Sequence, residues 1–92
     1  QTPMRLVSFE ELKNQATPRH GALTWKNELP GFGQLERLTP TGDPGEAAAN
    51  LYAAMRRLDA AGLDFIFAED PPREGLGEAI AERLRKASAE RD

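Results

Sequence analysis

Residues 43–69 read DPGEAAANLYAAMRRLDAAGLDFIFAE, a helical pattern followed by a short apolar run. Asp43 suits the N-cap of the helix, and Pro44 suits its first position, where a missing N–H costs nothing. Gly62 favours a stop just before it. The helix would bury the apolar residues that recur at steps of three and four, namely Ala47, Leu51, Ala54, Met55 and Leu58. Residues 65–68, Phe-Ile-Phe-Ala, are typical of a strand buried on both faces of a parallel sheet, so we expect them near its centre.

The flanking segments complete an alternating pattern of strands and helices. Apolar and β-branched residues predict three further strands, at residues 4–7, 22–25 and 34–39. Two further helices are predicted, from residue 9 to about 15 and from residue 76 to about 88. The order β-α-β-β-α-β-α predicts one small α/β layered domain over residues 1–92, with a mainly parallel sheet of about four strands flanked by about three helices.

The composition excludes several classes of protein. Twelve Lys and Arg residues against fifteen Asp and Glu give a net charge of −3, so direct contact with nucleic acid is not expected. Cys is absent and His occurs once, which removes disulfides, thiolate nucleophiles and thiolate zinc sites. No stretch approaches the roughly 20 apolar residues of a membrane span, and we expect a cytoplasmic protein without membrane contact. The chain starts at Gln1 rather than Met, so we expect it to be part of a longer protein.

The loop that follows the apolar strand is the first candidate site, because open parallel sheets bind ligands beyond the carboxyl ends of their strands. Glu69, Asp70 and Glu74 are residues of the kind that act as acid, base or hard-metal ligand. Gly75 and Gly77 can bring backbone N–H groups close to an anion at the start of the last helix. The alternative is structural: two prolines stiffen a turn, the acids are solvated or cap the helix, and the glycines allow a tight backbone. We favour this alternative.

Three other features each have a functional and a structural interpretation. Trp25 and Phe32 flank a loop and can stack on a base, although such aromatic residues more often complete a core. His20 can act as a general base, but its turn, between Pro18 and Gly21, favours a solvent-facing side chain. Basic residues on the two long helices form a phosphate-binding patch if both helices share a sheet face, but outward charges are usually solvated. They are Arg56, Arg57, Arg83, Arg85 and Lys86.

Four stretches resemble a known family. Residues 42–59, 62–69, 74–80 and 83–87 are similar to the C-terminal accessory domain of two-domain L-threonylcarbamoyladenylate synthases. They hold the long helix, the apolar strand, the Gly-Leu-Gly sequence and the last helix in the family's order, whereas the first 41 residues fit only loosely. The resemblance implies a small Rossmann-like α/β fold. No catalytic or substrate residue of the family corresponds to a position in this chain.

The resemblance also implies the activity of a parent enzyme. Such a synthase condenses L-threonine, bicarbonate and ATP into threonylcarbamoyl-AMP and pyrophosphate, as a step towards threonylcarbamoyladenosine in tRNA. The resemblance places this nucleotidyltransferase chemistry, with its ATP and Mg²⁺, in an N-terminal synthase domain of the same chain. No cofactor is then expected in the present chain.

Three hypotheses follow for the function of the chain. The leading one is a non-catalytic accessory or regulatory domain that docks on the synthase domain and helps to position the linker between them. The second is a sensor domain that binds a nucleotide or threonine near Trp25 and the loop from Glu69 to Gly77. The third is a contact with tRNA through the arginine-rich helices, which would weaken steeply with salt.

Overall fold

The computed structural model describes residues 1–91, which form four strands and three helices. The strands are β1 (Met4–Val7), β2 (His20–Thr24), β3 (Gln34–Arg37) and β4 (Phe65–Glu69). The helices are α1 (Phe9–Lys13), α2 (Pro44–Asp59) and α3 (Leu76–Glu90). All strand pairings are parallel, and the order across the sheet is β1-β4-β2-β3. The predicted α/β layered fold is confirmed.

β4 lies inside the sheet, between β1 and β2, as its apolar sequence predicts. Ile66 is in register with Met4 of β1 on one side and with Gly21 of β2 on the other. Ile66 is 1% exposed and Phe67, which points to the opposite face, is 7% exposed. Residues 65–68 of the strand are apolar because both of its faces are covered.

The two faces of the sheet have different covers. One face, which we call the helix-covered face, carries α2 and α3 packed beside each other. The opposite face, which we call the loop-covered face, carries α1 and the loop of residues 26–33. The buried cluster of the helix-covered face includes Leu23, Leu51, Leu58, Ile66, Ile80 and Leu84. The buried cluster of the loop-covered face consists of Val7, Leu12, Ala22 and Phe67.

α2 begins as its sequence predicts. The Asp43 carboxylate accepts a hydrogen bond from the backbone N–H of Glu46 at 3.2 Å, and Pro44 occupies the first helical position. This cap satisfies one of the N–H groups that a helix start leaves unpaired. The apolar stripe of α2 packs on the sheet through Ala47, Leu51, Ala54 and Leu58. Within residues 1–91, none of the helices combines the length and the hydropathy needed to cross a membrane.

α3 continues two residues beyond its predicted end, and Arg91 explains why. The Arg91 side chain, 3% exposed, donates to the two carboxylate oxygens of Asp59 at 2.7 and 2.9 Å. It also donates to the carbonyl oxygen of Thr2 at 2.8 Å. Such a fork of hydrogen bonds is the geometry in which Arg binds carboxylates most strongly. It fixes the end of α3 against the end of α2 and the start of the chain.

Two strands differ at their ends from the sequence-based expectation. β2 begins at His20, which lies half-buried with its ring edge-on to Phe67, the ring centroids 5.2 Å apart, rather than in a solvent-facing turn. Its Nδ1 also lies 2.8 Å from the carbonyl oxygen of Gln15. β3 ends at Arg37, yet the backbone N–H of Thr39 still donates to Trp25 at 2.7 Å. The chain after β3 therefore stays hydrogen-bonded to the chain after β2 as far as Thr39, the predicted end of the strand.

α1 is shorter than predicted and ends at Lys13. The backbone N–H groups of Asn14 and Gln15 donate to the carbonyl oxygens of Glu11 and Leu12, three residues back, at 3.0 Å each. Bonds of this spacing tighten the last turn of a helix and bring it to a close.

Candidate functional site

The carboxyl ends of β4 and β2 mark one crevice position at which a sheet of this topology favours a ligand site. The chain leaving β4 runs to α3 on the helix-covered face, whereas the chain leaving β2 runs through residues 26–33 on the loop-covered face. Adjacent parallel strands whose connections depart to opposite faces open a crevice that α/β proteins use for ligands. Glu69 ends β4 and Trp25 follows β2, so the topology brings these two predicted residues together.

A hydrogen bond spans the crevice. The backbone N–H of Trp25 donates to Oε1 of Glu69 at 2.8 Å. Burial raises the pKa of the half-buried Glu69 carboxyl above its ordinary value, and the bond from Trp25 opposes that shift in part. Glu69 thereby ties the end of β4 to the chain leaving β2. It also holds a proton more readily than a solvated Glu, which is the property required of a general acid.

The Trp25 ring faces the core rather than the crevice. Its side chain is 9% exposed and belongs to the buried cluster of the helix-covered face. Phe32, the other aromatic residue considered for stacking, packs half-buried on the loop-covered face. The two rings therefore lie on opposite sides of the sheet and do not form a common stacking surface. What Trp25 contributes to the crevice is its backbone N–H.

Asp70 belongs to a turn that leads from β4 into α3. Its two carboxylate oxygens accept hydrogen bonds from Nη2 of Arg73 at 2.8 and 2.9 Å. Its backbone N–H donates to the carbonyl oxygen of Val7 at 2.8 Å. The charge of Asp70 is thus compensated inside the turn, while Glu74, further along, is exposed to solvent. Within residues 1–91, no group of three or more His, Cys, Asp or Glu side chains is arranged to hold a metal ion.

Both glycines at the start of α3 have a backbone role. Gly75 precedes the helix with a φ of 52°, in the left-handed region that favours glycine. Gly77 is buried, and a Cβ atom there would collide with the carbonyl oxygen of Pro72. The absence of a side chain at residue 77 is therefore what lets the turn lie directly against the helix.

A second carboxylate stands at the same edge of the sheet, and the sequence patterns gave it no site role. Oε1 of Glu46 accepts from the hydroxyl groups of Thr39 at 2.6 Å and Thr41 at 3.0 Å. The Thr39 hydroxyl is the main reason that the pKa of Glu46 lies below its ordinary value. The only signal in the sequence is a Thr-Pro-Thr turn shortly before an acid in the first turn of a helix. The edge thus holds two carboxyls, Glu46 and Glu69, with opposite pKa shifts.

A phosphate-binding patch on α2 and α3 requires both helices to lie on the same face of the sheet, and they do. Two of the five cations are nevertheless paired. Arg57 donates to Oε1 of Glu36 at 3.0 and 2.8 Å, and Arg85 pairs with Glu82. Arg83 lies beside Tyr52, with its guanidinium carbon 5.4 Å from the ring centroid. Of the five cations, Arg56, Arg83 and Lys86 border the groove between the helices and its continuation, whereas Arg57 and Arg85 are held by carboxylates.

Comparison with known proteins gives the family. A family model described as the threonylcarbamoyl-AMP synthase C-terminal domain matches residues 1–89. A protein of Bacillus subtilis (strain 168) named threonylcarbamoyl-AMP synthase is 50% identical over 93 aligned positions, which cover 98% of this chain and 27% of the relative. A protein of the same name from Pyrococcus abyssi (strain GE5 / Orsay) is 50% identical over 46 residues, or 50% of this chain and 14% of the relative.

The match is to one part of longer proteins. The chain spans at most 27% of the length of these two relatives. No solved structure matches the chain significantly. Because the family model covers almost the whole chain, the chain belongs to the family of threonylcarbamoyl-AMP synthase C-terminal domains.

Proposed function

We propose that this chain is a non-catalytic accessory and regulatory domain of a cytoplasmic threonylcarbamoyl-AMP synthase. The observation that carries the proposal is the match of residues 1–89 to the C-terminal domain of that synthase. In the parent enzyme, an N-terminal synthase domain of the same chain converts L-threonine, bicarbonate and ATP, with Mg²⁺, into threonylcarbamoyl-AMP and pyrophosphate. The product serves tRNA modification, and the present domain docks on the synthase domain and helps to position the linker between them.

The contacts at the carboxyl edge of the sheet support a structural role for this domain. Glu69 holds the backbone of Trp25, and Asp70 holds the guanidinium of Arg73. Glu46 is occupied by the hydroxyl groups of Thr39 and Thr41. Polar groups already paired within the domain maintain the fold and are less available for substrate chemistry.

Pyrophosphate release tests the accessory role. The chain alone, supplied with L-threonine, bicarbonate and ATP, is expected to release no pyrophosphate, whereas a full-length synthase that carries it should turn over. Removal of residues 1–92 from the full-length protein should lower the rate between about 10- and 100-fold, because a misplaced linker no longer orients the reacting groups. Turnover by the chain alone, or an unchanged rate after removal, would contradict the proposal.

One observation favours a second candidate function, a sensor of nucleotide or threonine. The raised-pKa carboxyl of Glu69 stands at the crevice where α/β sheets bind ligands. Titration calorimetry with ATP, AMP and L-threonine should then give heats that Glu69→Gln reduces and Glu82→Gln, an exposed acid further along α3, does not. Flat titrations at millimolar ligand would eliminate the sensor and leave the accessory role standing.

A further inference from the structure

An apolar groove runs between α2 and α3 on the outer side of the helix-covered face. Leu51 and Ile80 lie in its floor, and Tyr52 and Leu76 stand at its rims. Tyr52 is 60% exposed and Leu76 is 51% exposed, and they are the two large hydrophobic residues of the described chain that remain open to solvent. We call this surface, together with Ala48 and Ala79, the interhelix groove. Exposed apolar rims around an apolar floor are characteristic of a surface that another protein segment covers.

The charges around the interhelix groove are mainly positive. Arg83 lines it and extends over the Tyr52 ring, in contact with the Tyr52 hydroxyl. Arg56 and Lys86 line its continuation towards the ends of the helices, together with Glu90 and with Asp59, whose charge is compensated by Arg91. Within residues 1–91, none of Arg56, Arg83 and Lys86 has a carboxylate partner within 4.0 Å. An apolar segment flanked by carboxylates is the occupant that complements both the floor and the cations.

The groove also leads to the start of the domain. Gln1 lines the far end of this surface, beside Met55 and Ala87. The domain matches only 27% of its Bacillus relative, so most of such a relative lies outside the domain. A synthase domain joined to Gln1 would be held next to the interhelix groove, where a short connection gives it a high effective concentration.

We propose that the interhelix groove is the docking surface for the N-terminal synthase domain of the same chain, which inserts an apolar segment flanked by acidic residues between α2 and α3. This inference rests on the proposed function, since it assumes that the two domains belong to one protein. Tyr52 and Leu76 are the apolar anchors of the contact, and Arg56, Arg83 and Lys86 pair with its acidic flanks.

Thiol labelling of a full-length synthase that carries this domain tests the docking surface, because the domain itself has no Cys. Single substitutions Ala48→Cys and Ala79→Cys place a thiol in the groove, and Ala16→Cys and Ala61→Cys place one at exposed positions elsewhere. Labelling of each peptide with a maleimide is followed by mass spectrometry in the full-length protein and in the 92-residue chain. The groove thiols should react about tenfold more slowly in the full-length protein, as expected if the groove is open in one molecule in ten, and the control thiols should react equally in both.

Substitutions of exposed residues at the interhelix groove test whether its cations and its apolar rim are needed for docking. Tyr52→Glu and the pair Arg83→Glu with Lys86→Glu should restore fast labelling of the groove thiols in the full-length protein. Arg5→Glu, at an exposed position of β1 away from the groove, is the matched control and should leave them protected. Unchanged circular dichroism and unchanged labelling of Ala61→Cys would establish that the variants are folded.

The outcomes separate this inference from the proposed function. Equal labelling of the groove thiols in both proteins overturns the inference, and protection of Ala16→Cys alone transfers docking to the loop-covered face. Protection that requires added tRNA and disappears with salt overturns it in favour of a nucleic-acid contact. Groove protection without any effect of Tyr52→Glu on pyrophosphate release retains the docking surface and contradicts the accessory role.

Discussion

The two faces of the sheet are stabilised by different means. The helix-covered face is closed by α2 and α3, helices of 16 and 15 residues, whose stripes enter one buried cluster. The loop-covered face is closed by α1, a helix of five residues, and by a loop, and several of its apolar residues are only half-buried. Two long helices bury one stripe each and leave their outer surfaces for an interaction. A short helix and a loop have little surface to spare beyond the core that they cover.

This difference predicts where the free energy of unfolding is concentrated. The same Leu→Ala substitution should cost most beneath the two long helices, where Leu58 and Leu84 are fully buried. It should cost less at Leu29 and Leu35 on the loop-covered face, where water already reaches part of the side chain, although Leu12 of the same face is fully buried.

Leu84→Ala is expected to have the largest effect. Leu84 of α3 is fully buried against the helix-covered face, and the cavity left by its removal should cost about 2–5 kcal/mol. Leu35→Ala, in half-buried β3 on the opposite face, should cost only about 1 kcal/mol because less surface leaves water on folding. Urea unfolding followed by circular dichroism measures both values. Equal losses would mean that the two faces are equally well closed.

Gly77→Ala, in the first turn of α3 on the helix-covered face, is expected to have an intermediate effect on the free energy of unfolding. Its methyl group would meet the Pro72 carbonyl oxygen, so the turn before α3 must shift, at a cost of about 1–3 kcal/mol. Glu78→Ala, at the exposed neighbouring position, should stay within about 0.5 kcal/mol of the parent. Thermal unfolding of both variants checks the difference. A Gly77→Ala protein as stable as Glu78→Ala would show that the turn yields without strain.

Substitution of Glu69 is expected to have the smallest effect on the free energy of unfolding. Glu69 lies at the carboxyl ends of β4 and β2, from which the chain leaves to opposite faces of the sheet. Glu69→Ala removes the acceptor of the Trp25 N–H and should cost about 0.5–1.5 kcal/mol. Glu69→Gln keeps an acceptor oxygen and should cost less. Comparison of these two variants in urea separates the hydrogen bond from the charge.

The pH dependence of Glu69 follows from the direction of its pKa shift. Since burial raises the pKa in the folded state, the folded protein binds this proton more tightly than the unfolded chain does. The resulting stabilisation is complete below the ordinary pKa of Glu and is lost as the pH rises through the raised value. The free energy of unfolding of the parent should therefore fall relative to that of Glu69→Gln as the pH rises across that window. Parallel pH profiles for the parent and Glu69→Gln would contradict the shift.

What the sequence could predict was local. The Asp43 cap, the stripe of α2 and the buried character of β4 depend on residues within a few positions of one another, and periodicity and capping preferences report such relations directly. A loop that follows a parallel strand starts at the carboxyl edge of the sheet, which is where Glu69 lies at the end of β4. These features emerge from a single sequence because their causes are short-range.

What the sequence could not predict depends on contacts between distant segments. The bond from Trp25 to Glu69 joins residues 44 positions apart, and the pair of Asp59 with Arg91 joins residues 32 positions apart. The first contact requires β4 to pair with β2, and the second requires α2 and α3 to share one face of the sheet. The exposure of Tyr52 likewise depends on where α3 lies, and a polar aromatic residue beside an apolar stripe does not reveal a groove.

The contact of Arg91 with Thr2 brings the beginning and the end of the described chain to one place. When the two ends of a domain lie close together, the rest of a protein can be connected to the domain at one place on its surface. Movement of an upstream segment would then rotate the domain as a rigid body and would not pull its two ends apart. A force applied between its two ends would first load the contacts of Arg91 with Thr2 and Asp59, and only after their rupture the parallel sheet.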